Sequence, residues 1–431
     1  MDRPARERSE PRREIRVGTV RRRHVIYVEG YDPRGADGYY NLFRRACDGF
    51  RRKWSVSLAL QPLEVDSEDF AHWLVDVRAS NWQVATYYDF LRLERFIRSD
   101  MTASMAQYLP SSLGWIVGDL LGGAQFRIFC ASPRFSLHLL YFQLLLLVWL
   151  ALPAMIGLTV VHAIADYLSL PLPVGVATSL FAAPVSFLAL RPIADRLGVI
   201  QITSCWVILR RFARGRPTWL DQVIEAGARR LIAVAQASGV DELVVIGHSA
   251  GSVIASALMA RALELDPELG RRGPRLVLLT LGSVTPAVAL HPAARRMREI
   301  VRRLAIEPTL AWIDCQSRKD FMNFPDFDPV EGIGVHVGPQ RCNPLIWLVR
   351  FKDMISPEQY RAFTWNLFRV HYQYIRAGDR PAPYDYVLLV GGPVAIAEWA
   401  RRHQELTLAF IQNGIFGGDG SRHEIIVGAD P

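Results

Sequence analysis

Residues 241–265 read DELVVIGHSAGSVIASALMARALEL, and the fold follows from this stretch. Leu243-Val244-Val245-Ile246 is a short apolar run rich in β-branched residues, the pattern of a strand buried on both faces. Ser252 to Leu265 is dominated by helix formers. Between them lies Gly247-His248-Ser249-Ala250-Gly251, where the chain must turn sharply from strand to helix. A serine on such a turn projects its Oγ into a cleft, and the two glycines let neighbouring backbone pass close.

Working outward, the same alternation continues. WLDQVIEAGARRLIAVAQASG (219–239) predicts an amphipathic helix ended by Gly239, PRLVLLTLGS (274–283) a strand, HPAARRMREIVRRLA (291–305) a basic helix, and TLAWIDCQSRKD (309–320) a strand and loop. Strands alternating with helices imply a mostly parallel sheet covered on both faces. Near the N-terminus, Val25-Ile26-Tyr27-Val28 predicts a buried strand that ends in a tight loop at Glu29-Gly30. GYYNLFRRACDGFRRKW (38–54) has helical spacing, with Tyr40, Phe43 and Ala46 on one side. SVSLALQPLEV (55–65) predicts a second strand, and residues 67–108 a mixed, largely helical region with its Trp and Tyr in the core.

The middle of the chain is different. LHLLYFQLLLLVWLALPAMIGLTVV (137–161) is an uncharged run of 25 residues, long enough for a helix to cross a bilayer. PLPVGVATSLFAAPVSFLAL (171–190) predicts a second, shorter span. Pro153 and Pro184 are compatible with spanning helices. Arg127 and Arg134 precede the pair, Arg191, Arg196, Arg210 and Arg211 follow it, and the connecting HAIADYLSLPLP has no Lys or Arg. The excess of positive charge on the cytoplasmic side then places both termini and the bulk of the protein there, as in a two-span protein of a bacterial-type inner membrane. GVIQITSCWVILRRF (198–212) fits an interfacial segment, a strand or a core helix equally.

Composition narrows the partners. The formal net charge is +8, carried almost wholly by arginine. The basic residues do not line one recognisable helix and no nucleic-acid motif is present, so the expected partner is an anionic membrane surface rather than nucleic acid. The five cysteines, Cys47, Cys130, Cys205, Cys315 and Cys342, show no CxxC or Cys/His cluster, which argues against a disulfide framework or zinc site. The N-terminal residues 1–22 read as a solvated basic arm without the apolar run of a signal peptide.

The strand, GHSAG turn and helix resemble the nucleophile elbow of the α/β-hydrolase superfamily. The likeness extends in outline over residues 23–60 and 218–375, and LVLLTLGSVTP (276–286) faintly resembles the matching stretch of class 3, fungal-type lipases. The resemblance implies an α/β-hydrolase-like, mostly parallel sheet with helices on both faces, plus an inserted two-helix transmembrane hairpin. The domains would be the arm 1–22, hydrolase segments 23–130 and 198–431, and the hairpin 131–197. It also implies a serine nucleophile, an acid and a histidine in that chain order, with a backbone oxyanion hole and no metal or organic cofactor.

Ser249 is the expected nucleophile, framed by Gly247, His248 and Gly251. Asp320, in the loop ending the 309–320 strand, is the expected acid. Asp314 lies inside that strand, where a structural role fits better, and Asp326 and Asp328 are competitors. Of the histidines that follow, His371 in FRVHYQYI resembles the histidine loop of many lipases and esterases. His336 lies in an extended glycine-flanked stretch, His403 on an exposed helix face and His423 near the C-terminus. The oxyanion donors would be the amides of Ala250 and Tyr31, although Glu29-Gly30 stands where many family members have His-Gly. The expected activity is cleavage of carboxylic esters, of lipid or other apolar acyl groups, by a membrane-anchored serine hydrolase. A thioesterase or acyltransferase with the same triad, or a non-catalytic scaffold, are the alternatives.

Overall fold

In a computed structural model, residues 20–412 are described except for 55, 80–81, 169–184, 186–187, 238 and 364–365. The core is one nine-stranded sheet. Its strands are β1 (Arg22–Val28), β2 (Ser57–Leu60), β3 (Glu64–Val65), β4 (Phe70–Arg78), β5 (Gln83–Leu91), β6 (Glu242–His248), β7 (Arg275–Leu281), β8 (Leu310–Gln316) and β9 (Leu345–Leu348). Their order is β2-β4-β5-β1-β6-β7-β8-β9, with β3 beside β4. From β5 to β9 every pairing is parallel, whereas β2, β3 and β5 run antiparallel to β4.

Alternate side chains of the central strands feed two cores. Ile26, Val28, Leu243 and Val245 face the helices Trp219–Gln236, Gly251–Leu265 and Arg295–Ala305. Val25, Tyr27, Val244 and Ile246 face Gly35–Lys53 and the C-terminal helices Tyr386–Gly391 and Ile396–Gln412. The sheet is thus covered on both sides, which explains why β6 is buried along its whole length.

Two expectations need correction. Residues 67–108 are not largely helical: β4 and β5 fill most of the first half. Ala71, Trp73, Val75 and Val77 are buried in alternation on β4, as are Val84, Thr86, Tyr88 and Phe90 on β5. Period 2 with aromatic and β-branched residues is a strand signal, and Trp73 stacks on its cross-strand neighbour Tyr88 at 4.6 Å. The basic arm also ends earlier than residue 22, since Arg22 already belongs to β1; residues 1–19 lie outside the described residues.

The apolar run at 137–161 lies within one helix of 35 residues, Pro133–Tyr167. Ser132 caps it by accepting from Phe135 N, and Pro133 occupies its first turn, as helix starts favour. Only 27% of its most apolar window is buried inside the protein, so most of that surface faces outward. It is the one described helix long and apolar enough to cross a membrane by itself. The second expected span, 171–190, lies outside the described residues apart from 185 and 188–190. Residues 198–212 resolve to a helix, Val199–Ala213, whose Trp206, Leu209 and Phe212 are buried in the core.

Candidate active site

The chain leaves β1 toward one face of the sheet and leaves the adjacent, parallel β6 toward the other. In open α/β sheets such a switch point opens a crevice at the carboxyl ends of the strands. The two loops that meet there are Glu29–Asp32 and the GHSAG turn.

Ser249 sits on that turn with φ 56°, a left-handed conformation that a serine rarely adopts. Its own N–H donates to Leu281 O at the end of β7 (2.9 Å). Gly251 is required by close approach: a Cβ there would lie 2.3 Å from the carbonyl oxygens of both Val28 and Glu29. The Gly30 position, in turn, would bring a Cβ within 3.2 Å of Ser249 Cβ and 3.7 Å of its Oγ. The backbone of the Glu29–Tyr31 loop therefore passes directly against the serine.

Asp320 and His371 come together from positions 51 residues apart in the chain. Asp320, in the loop after β8, is buried, and its Oδ2 accepts from His371 Nδ1 at 2.7 Å. The same carboxylate accepts from Met322 N at Oδ1 (2.9 Å) and from Asn323 Nδ2 at Oδ2 (3.2 Å). His371 closes the short helix Leu367–His371. Its Nδ1–H is committed to the carboxylate, and its buried Nε2 has no hydrogen bond among the described residues. Gly282, at φ 54°, allows this meeting; a Cβ there would lie 3.0 Å from His371 Cε1 and 3.2 Å from Asp320 Oδ2. A bond from Ser249 Oγ to Nε2 is not formed here, and such bonds often tighten only with substrate bound.

His248 fixes the histidine from behind. Its Nε2–H donates to His371 O (3.1 Å), its Nδ1 faces Tyr39 OH (3.3 Å), and the two imidazoles stack at 4.8 Å. Burial, with His371 close by, holds the His248 pKa well below the usual imidazole range, so it stays neutral. Asp32 ties the β1 loop to the histidine segment by accepting from Tyr372 OH and from Arg34. Tyr31 is anchored through its OH to Asp100 (2.9 Å), while its carbonyl accepts from Gln201 (2.6 Å).

The competing residues lie elsewhere. Asp314 is buried in β8 and accepts from Thr280 and Gln316; burial pushes its pKa up. Asp326 pairs with Arg318, and Asp328 with Arg341. His336 is exposed and bonded to Glu331, and His403 bonds Ala400 O beside Trp347. His423 lies outside the described residues. Asn323 and the His248 bracket had no sequence signal. Among the described residues no group of three or more His, Cys, Asp or Glu side chains is arranged to hold a metal ion.

No family model, no curated protein and no solved structure matches the chain. The site must therefore be read from its own geometry.

Glu29 is the unusual member of the β1 loop. It is fully buried, and neither carboxylate oxygen has a hydrogen-bond partner. Burial, then Asp32 and Glu94, push its pKa well above the normal carboxyl range. A carboxyl raised in the folded state favours folding at low pH, and that contribution is lost as pH climbs from the unfolded pKa toward the folded one. Glu29→Gln should therefore stabilise the protein by about 1–3 kcal/mol at neutral pH, because the amide cannot ionise and each unit of carboxyl pKa shift is worth about 1.4 kcal/mol. The gain should vanish below about pH 4, where glutamate is protonated in both states. Denaturant unfolding at pH 4 and pH 7 measures both limits.

Proposed function

We propose that this protein is a serine hydrolase of the α/β-hydrolase type that cleaves carboxylic esters, with Ser249, His371 and Asp320 as its triad. The observation that carries this reading is the buried 2.7 Å bond between Asp320 and His371 Nδ1, which leaves Nε2 as the free basic nitrogen. The mostly parallel sheet, with Ser249 on a strained turn at its switch point, supports it. Ser249 Oγ attacks the ester carbonyl carbon as His371 Nε2 takes its proton. The carbonyl π electrons move to oxygen, where the amides of Ala250 and Tyr31 stabilise them. When the intermediate collapses, the alcohol leaves with the proton from His371 and an acyl-serine remains. Water attacks that ester, gives its proton to Nε2, and releases the acid and the free serine.

The substrate is an apolar acyl ester reached from a bilayer crossed by the Pro133–Tyr167 helix, with the sheet on the cytoplasmic side. Contacts at the start of that helix support this placement. Ser132 Oγ donates to Asn323 O (3.4 Å), Arg134 donates to Arg318 O (2.9 Å), and Phe135 packs on Phe324 at 4.7 Å. These partners flank Asp320, so the acid's loop rests on the first turns of the apolar helix.

Labelling isolated membranes with a fluorophosphonate probe tests the chemistry. Native protein should label and Ser249→Ala should not. Absence of labelling on well-folded native protein would move the assignment to a scaffold that keeps the fold. Cleavage confined to short water-soluble esters would sink the lipid substrate, and competition by acyl-CoA would favour a thioesterase or acyltransferase.

A further inference from the structure

We propose that a groove between the helices Met105–Leu121 and Val199–Ala213 holds the phosphate of an anionic phospholipid headgroup. The cavity there measures about 280 Å³, and Arg210, Arg211, Arg214 and Arg216 are four of its nine lining residues; no acid lines it.

The positive charge is only partly compensated: Asp119 acts on Arg210 and Arg214, and Asp100 acts on Arg211 from outside the lining. Asp119 accepts from Arg210 (2.9 Å) and Trp115 (3.0 Å) and lies 3.9 Å from His291 Nε2; the other donors of Arg210 go to the carbonyls of Ala287 and Val288. Arg214 donates to His291 Nε2 (2.7 Å), a neutral partner, since burial and then Arg210 and Arg214 hold the His291 pKa down at about 4. Exposed Arg211 and Arg216 make no side-chain hydrogen bond or ion pair among the described residues. The buried Nε atoms of Arg210 and Arg214 are unbonded as well. Burial and then neighbouring Arg210 pull the Arg214 pKa down, against the opposing pull of Asp119.

The surroundings select a lipid over a soluble anion. Ser111, Gly114 and Trp115 form the groove wall on the first helix. One step round the same helix, Val117, Leu120 and Leu121 are 51%, 52% and 85% exposed, and the next helix adds Phe126 at 70%. An exposed apolar face bordered by arginines is how an interfacial helix sits in a bilayer, its cations at phosphate depth. This site does not depend on the ester chemistry.

The test uses the full chain, purified in detergent with equimolar phosphatidylglycerol and phosphatidylcholine, and counts the lipid that remains bound. Native protein should retain phosphatidylglycerol preferentially. Arg211→Glu with Arg216→Glu should cut that preference by about fivefold or more per position, while Arg211→Lys with Arg216→Lys keeps most of it. Circular dichroism and fluorophosphonate labelling should be unchanged in all of them. Equal retention of the two lipids by native protein, or an unchanged preference in the double glutamate variant, overturns the proposal. So does displacement of the lipid by millimolar inorganic phosphate, which would mark a site for a free anion.

Discussion

On the proposed ester-cleaving mechanism, Asp320→Asn should lower kcat on a p-nitrophenyl ester about 10⁴-fold with little change in KM, the size of effect expected when a triad histidine is held in the wrong tautomer. The reason lies in the bonds around the carboxylate. Oδ1 accepts from Met322 N, so the amide oxygen of asparagine takes that position. Its NH₂ then faces His371 Nδ1, which must become the acceptor. The ring proton moves to Nε2, and the nitrogen that should take the serine proton can no longer do so. The fold should survive, because shape and volume are conserved. A loss of less than tenfold, in protein with an unchanged thermal transition, would remove Asp320 from the mechanism and turn attention to substrate-borne groups.

The largest effect on stability should come from Glu242→Ala, at about 3–5 kcal/mol, the cost of stranding one member of a buried ion pair. Arg23 and Glu242 are both fully buried and meet at 2.6 Å across β1 and β6. Arg23 also donates to the carbonyls of Val390, Gly392 and Val394, and Glu242 accepts from Ile396 N at 2.9 Å. The pair therefore pins the C-terminal segment onto the two central strands. Removing the carboxylate leaves a guanidinium in the core with no counter-ion. In a chain of this size the midpoint of thermal unfolding should fall by roughly 3–6 °C. Arg23→Met combined with Glu242→Leu should recover most of the loss, since apolar replacement of a whole buried pair is often close to neutral. A single variant as stable as the native chain would show that the pair is not needed to hold the segment.

How much of this was legible beforehand depended on the kind of signal. β6, β7 and β8 are short, mainly apolar runs bounded by polar turns, and each can be read without neighbours. The turn at Ser249 announces itself because only glycine tolerates the close approach at residue 251. β4 and β5 differ from the largely helical region the sequence suggests, because their Trp and Tyr residues fit a core in either structure and only the period-2 alternation marks strands. The juxtaposition of Asp320 and His371 was legible only as chain order after the serine. The 2.7 Å contact depends on a loop and a short helix 51 residues apart, which no local pattern relates. The solitude of Glu29 and the crowding of four arginines in one groove are tertiary facts. They arise from which elements pack together, and no window of sequence contains them.

The position of β1 has a consequence for how the chain is made. Its partners on either side, β5 and β6, are separated by everything from Leu91 to Glu242, the long apolar helix included. At typical synthesis rates, roughly 10–30 s pass between the emergence of one partner and the other. During that interval the nascent N-terminal half carries an open, apolar strand edge of the kind that recruits other chains. Only non-local pairing closes it, and such pairing is slow. Folding of this protein is thus a race between synthesis of β6 and adhesion at the waiting edge of β1.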